Sequence, residues 1–301
     1  MFMGKFARSW DLFKQSGRVL MSDKQLLVLP ILSSISCILV LATFAVPLLF
    51  AVDWKSEFAR GAGGNSSNVQ MTMKAWYPVV LFAYYFVNFF VITFFNSALI
   101  ACAIRKFNGE SATLKDGLGV AVSRLPQILA WSAVAATVGV VLQMVQERLG
   151  FVGKIIMNLI GMVWTIATFF VVPVLVVEKV GPITAIKRSV EILKKTWGES
   201  LITNLGIGAV TGVMVLLGVL FLVGGGVLSI VMNSPWPIAI IGGLFLVYIL
   251  AISLISTTLK GILLAATYQF AATGSVPNGF NQDMLSQAFK PKGVKQPVNP
   301  A

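Results

Sequence analysis

The chain has 301 residues, of which 57% are hydrophobic and only 11% charged, with a formal net charge of +12. Soluble domains carry about 25% charged residues, so a soluble globule of this size is excluded, and recurring uncharged apolar runs put the chain among multi-pass helical membrane proteins. The excess base lies in short segments beside those runs, which points to an anionic lipid surface and away from nucleic acid.

In chain order, residues 3–21 place Phe6, Trp10, Phe13 and Leu20 at helical spacing, with Lys5, Arg8, Lys14 and Arg18 mostly on the other side. Such a segment fits a helix lying in the headgroup region, and equally one packed on the protein's own basic side. The run 25–52 is too long for the 7–15-residue apolar stretch of a signal peptide and is read as a retained first span. The loop 53–74 has a flexible tip at Gly61–Asn68 that holds one glycosylation-type triplet at Asn65, a chance match in so Ser/Asn-rich a stretch.

The second span, 75–103, opens with the interfacial pair Trp76-Tyr77 and ends before Arg105-Lys106. A second amphipathic segment, 109–126, opens with a capping-box pattern at Thr113 and Asp116. The third and fourth spans, 127–145 and 154–177, follow, the latter with Pro173 inside it. A third amphipathic segment, 182–199, starts at Pro182, suited to a first helical turn. Ile183, Ile186, Val190, Leu193 and Trp197 share one predicted face, and Lys187, Arg188, Glu191, Lys194 and Lys195 occupy much of the rest. The fifth span, 201–232, is glycine-rich, and Gly208-x-x-x-Gly212 would admit a close helix neighbour. A turn at 233–237 leads into the sixth span, 238–258. Apolar character continues over 261–272, either as the same helix running on or as a segment along the interface. Residues 281–289 read as a short amphipathic helix and 290–301 as a disordered tail.

The 17 Lys and Arg beside one set of span ends, against five beside the other with Lys260 left aside, put both termini in the cytosol. Each amphipathic segment precedes a two-span hairpin, and setting Leu114-Lys115 on Ile186-Lys187 aligns Leu118 with Val190 and Leu125 with Trp197. The expected fold is therefore an all-α integral membrane domain over 1–289: six transmembrane helices as three parallel-repeat hairpins, each preceded by a cytosolic interfacial helix.

Three sets of residues carry a family resemblance. They are Trp10-Asp11-Leu12-Phe13 with Asp23-Lys24 and Pro30, then Arg188-Ser189 with Trp197-Gly198, and last Tyr268, Phe270, Gly274, Val276-Pro277 and Gly279-Phe280. On these the chain resembles an uncharacterised family of bacterial multi-pass inner-membrane proteins. The resemblance implies a membrane location and no established activity, so it carries over no site residues.

The chain has no histidine and no nucleotide-binding or metalloprotease motif, and its two cysteines, Cys37 and Cys102, lack metal-ligand spacing. No catalytic, metal or cofactor residue is expected, and the chain is read as not an enzyme. The candidate membrane-interface residues are Trp10, Lys14, Arg18, Lys187, Arg188, Lys194, Lys195 and Trp197, with the phospholipid bilayer, above all its anionic lipids, as partner. A homo-oligomer or a membrane-protein partner is left open. Asn88, Asn96 and Asn158 are polar positions within spans. They fit interhelical hydrogen bonding, or a polar pathway if the chain is a channel or carrier for a small neutral or lipid-like solute.

Overall fold

The computed structural model describes residues 14–51, 77–195 and 199–280. Trp10, the loop tip with Asn65, Trp197, the expected helix 281–289 and the tail 290–301 lie outside the described residues.

Residues 14–22 are helical. Asp23 then caps a 3₁₀ turn, Lys24–Leu27, its carboxylate accepting from the Gln25 N–H, and the turn feeds α1, Val28–Ala51. Pro30 sits in the first turn of α1, where its missing N–H costs nothing. Helix α2 runs Tyr77–Phe107 and α3 Leu114–Ser123, the latter behind the capping box of Thr113 and Asp116. Arg124 breaks helical geometry for one residue, and α4, Leu125–Arg148, follows with Pro126 in its first turn. Then come α5 Phe151–Ala167, α6 Val171–Glu178 and α7 Pro182–Lys195. The last two are α8, Glu199–Val231, and α9, Trp236–Thr273. Six stretches are long and apolar enough to cross a membrane: Lys24–Ala45, Val79–Phe107, Leu125–Arg148, Phe151–Glu178, Val210–Val231 and Trp236–Thr273. The chain is a helical membrane protein on that ground.

Several expected boundaries move. The second helix continues through Arg105-Lys106 to Phe107 because both bases have carboxylate partners beside the helix end. The fourth span, expected unbroken over 154–177, is interrupted at 168–170. Proline has no N–H for the carbonyl four residues back and its ring clashes there. Pro173 is therefore accommodated in the first turn of a new helix, α6. The helix of the sixth span runs on past 258, so that 261–272 are one helix with it, the first of the two expected readings. The close approach of α8 to α9 is made at Gly218 and Gly225, where an added Cβ would come 2.7 Å from Tyr248 and 2.9 Å from Ile241 respectively. Gly208 and Gly212, the expected contact pair, have nothing within 4 Å.

Helix α2 is the hub and packs against α1, α3, α4, α6 and α9. Burial is uneven along the bundle. In α2, Ala98 to Ala103 are buried, in α9 burial begins at Ser256, and most of α6 is buried. Helix α5 by contrast buries no residue, and it exposes Phe151, Val152, Ile155 and Ile156. One end of the bundle is thus a packed layer, a collar. The other end is a set of splayed apolar helices, and lipid tails solvate such surfaces as well as protein does. At 1.5 Å per residue, the 38 residues of α9 reach about 57 Å, far beyond a hydrocarbon core of about 30 Å. The stretch 236–256 alone spans that core, and the remainder is collar.

Candidate functional site

The collar gathers helix ends and short helices, and their polar residues are joined in three groups. The first surrounds the end of α2. Lys106 Nζ lies 3.1 Å from Asp23 Oδ2, and Arg105 reaches Glu110 at 2.9 Å and Asp116 at 3.2 Å. Asp116 Oδ2 also accepts from the Thr113 hydroxyl at 2.7 Å and the Thr113 N–H at 2.9 Å. These two bonds, the hydroxyl's first, hold its carboxyl below the usual carboxylate range.

The second group ties the last turns of α9 and the segment after it to the end of α2. Gln269 Nε2 donates to Asn108 Oδ1 at 3.0 Å, and the Asn278 N–H donates to the Phe107 carbonyl at 3.3 Å. Phe107 and Phe280 meet edge to face at 5.6 Å. Gly279, at φ +91°, adopts a backbone that favours glycine, and a Cβ there would stand 3.1 Å from Val19.

The third group holds α7. Glu178, the last residue of α6, accepts on Oε1 from both Arg188 Nε and the Tyr268 hydroxyl, each at 3.0 Å. Arg188 Nη1 reaches Glu191 Oε2 at 3.2 Å. The bond to Glu178, then that to Glu191, pushes the Arg188 pKa upward. Next to Arg188, on the buried side of α7, the Ser189 hydroxyl accepts from the Phe170 N–H at 3.0 Å, and both residues are fully buried. Ser189 thereby satisfies one of the donors freed where α5 gives way to α6. Arg124 does the converse at the other end of α6, its Nε donating to the Val176 carbonyl at 3.1 Å. The short helix α6 is fixed at its start by α7 and near its end by the α3–α4 junction.

This geometry re-sorts the residues singled out from sequence. The buried residues of α7 are Ala185, Ser189, Ile192 and Leu193, whereas Ile183 is 60% exposed. The inward face is therefore rotated about one residue from the expected line through Ile183, Ile186, Val190 and Leu193. It is rotated because small Ala185 and Ser189 let α7 sit close on α6. Arg188 is held in ion pairs with Glu178 and Glu191. Lys187 and Lys194 are exposed, as are Lys14 and Arg18 on the helical stretch 14–22. The Lys195 side chain lies outside the described residues. Asn88 folds back on the Tyr84 carbonyl at 3.1 Å, Asn158 accepts from Gln146 at 3.0 Å, and Asn96 is half-buried on α2. The polar residues missed from sequence are Glu178, Tyr268, Gln269 and Asn108. Their available signal was position, since each stands within about a turn and a half of the end of an apolar helix, where a side chain can leave the lipid.

Every ion pair among the described residues belongs to this collar. Each described carboxylate in it stands beside a base or a hydroxyl, so the arrangement locks segments together by neutralising charge. No curated protein and no solved structure matches the chain. The model of a family of unknown function, DUF6159, matches residues 75–279. That range runs from the start of α2 to the Gly279 turn and takes in most of the collar, and on it the chain belongs to the DUF6159 family.

Proposed function

We propose that the chain is a bacterial inner-membrane protein with both termini in the cytosol, built as three parallel hairpins. In this reading it has no enzymatic activity and acts through its cytosolic face on anionic lipids or partner proteins. The observation that carries the reading is the make-up of the collar surface. Inside the collar the carboxylates are matched with bases, yet Arg18, Lys115, Lys187 and Lys194 remain exposed on three separate helical segments. Exposed apolar side chains accompany them, Met21, Val122 and Ile183. Bases beside apolar residues on a rigid layer at the ends of spans make a surface suited to anionic headgroups, each base near such a surface contributing about 1 kcal/mol.

The test is complementation of a deletion strain, scored for lipid composition and solute uptake at matched membrane abundance. Neutralising Lys115, Lys187 and Lys194 is expected to abolish rescue, and Asn88→Ala with Asn96→Ala to leave it intact. The opposite result would replace this reading with a carrier of small neutral or lipid-like solutes. Reporter fusions at Ser67 and Ala301 are expected in opposite compartments; a shared compartment overturns the topology.

A further inference from the structure

The hairpin α8–α9 carries a groove along its membrane-spanning half. Leu217, Phe221, Leu244, Phe245 and Tyr248 line a hollow of about 520 Å³. A second hollow of about 210 Å³ continues it past Tyr248, down to Thr211, Ser256 and Leu259. The larger one falls in the roughly 300–1,000 Å³ range of ligand sites. The groove wall is apolar until its collar end, where the hydroxyls of Thr211 and Ser256 stand 2.8 Å apart.

One charged residue of α9 belongs to this picture. Lys260 is the only charge in the helix, it is exposed, and it lies one turn beyond Ser256 on the same side. Its depth follows from helix geometry. Trp236, an interfacial type of residue, opens α9, and 24 residues separate it from Lys260, a rise of about 36 Å. That distance exceeds a hydrocarbon core of about 30 Å by several ångström and puts the Lys260 Cα among headgroups. In a helix the Cα–Cβ bond tilts toward the N-terminus, so that of Lys260 leans toward the turn that holds Ser256.

We propose that this groove binds one anionic phospholipid. An acyl chain lies along Leu217, Phe221 and Leu244, the glycerol esters sit level with Thr211 and Ser256, and the headgroup phosphate meets Lys260. The exposed apolar groove, the polar pair at one end and the single cation one turn further follow the order of parts in a phospholipid: tail, ester, charge. The site goes beyond the collar surface, and it requires only that the hairpin spans a bilayer, whichever side the collar faces.

The experiment uses the full chain in phosphatidylcholine vesicles containing a trace of photoactivatable phosphatidylglycerol or phosphatidylcholine, each with the reactive group in its acyl chain. Cross-links are located by peptide mass spectrometry. Labelling of the α8–α9 groove is expected to be about fivefold stronger with the anionic probe, the factor for one lysine at an anionic headgroup. Lys260→Gln should bring the two probes level. Leu244→Trp, at an exposed position, should fill the groove and remove its label with either probe. Lys187→Gln with Lys194→Gln should leave groove labelling unchanged, so failure of the collar reading does not mimic failure here. Equal labelling by both probes, label spread as densely over the exposed face of α5, or a Lys260→Gln variant that still prefers the anionic probe would each mean ordinary annular lipid and overturn the site.

Discussion

Two glycines of α3, two positions apart, should respond in opposite directions to the same substitution. Gly117 is buried against α2, and a Cβ there would meet Cys102 Sγ and stand 2.7 Å from the Ala98 carbonyl oxygen. A sulfur can turn aside, but a backbone oxygen inside a helix cannot, so Gly117→Ala must push α3 off α2. Overpacking of this kind costs about 1–3 kcal/mol. Gly119 is exposed with nothing within 4 Å, so Gly119→Ala only gains helix propensity, about 0.5–1 kcal/mol in favour of folding. Gly117→Ala gains the same propensity, so the two variants should differ by the overpacking term, roughly 1–3 kcal/mol. Reversible unfolding by dodecyl sulfate in mixed micelles, followed by circular dichroism, measures the difference. Adding Cys102→Ala to Gly117→Ala should recover only part of the loss, because the carbonyl contact remains. If Gly117→Ala is as stable as Gly119→Ala, α3 does not dock on α2 through this face, and the rigid collar surface falls with it.

Ser189→Ala leaves the buried Phe170 N–H without its acceptor, for an expected loss of about 1–3 kcal/mol in the same titration; a loss below about 0.5 kcal/mol would mean that α7 does not close the break between α5 and α6. The cap of α3 should respond to acid. Asp116 has a native pKa lowered from 3.8, so its stabilising contribution is complete above that value and is lost as pH falls through the native one. The stability difference between wild type and Asp116→Asn should accordingly be flat above about pH 5 and close toward lower pH, whereas a difference that widens in acid would contradict the Thr113 hydrogen bonds as its cause.

What the sequence by itself determined is local or compositional. The six apolar stretches follow from the scarcity of charge over 18 or more residues. The start of α3 follows from Thr113 and Asp116 at capping spacing, and the start of α7 from Pro182, because these residues act on backbone groups within one turn of themselves. The tertiary structure alone decided which apolar positions face protein. Lipid tails and packed side chains are equally apolar neighbours, so a hydrophobic run reads the same in either setting. For that reason 261–272 could be an interfacial segment or a continued helix until Leu99, Leu259 and Ile262 were seen buried together. The same ambiguity hid the rotation of α7, which depends on α6 lying beneath Ala185 and Ser189. It also hid the glycines that matter, since Gly117 and Gly218 differ from Gly208 and Gly212 only in what stands opposite them. The polar locks were hidden for a further reason. Glu178 and Tyr268 are 90 residues apart, and no local pattern links them before the ends of α6 and α9 are brought together in the collar.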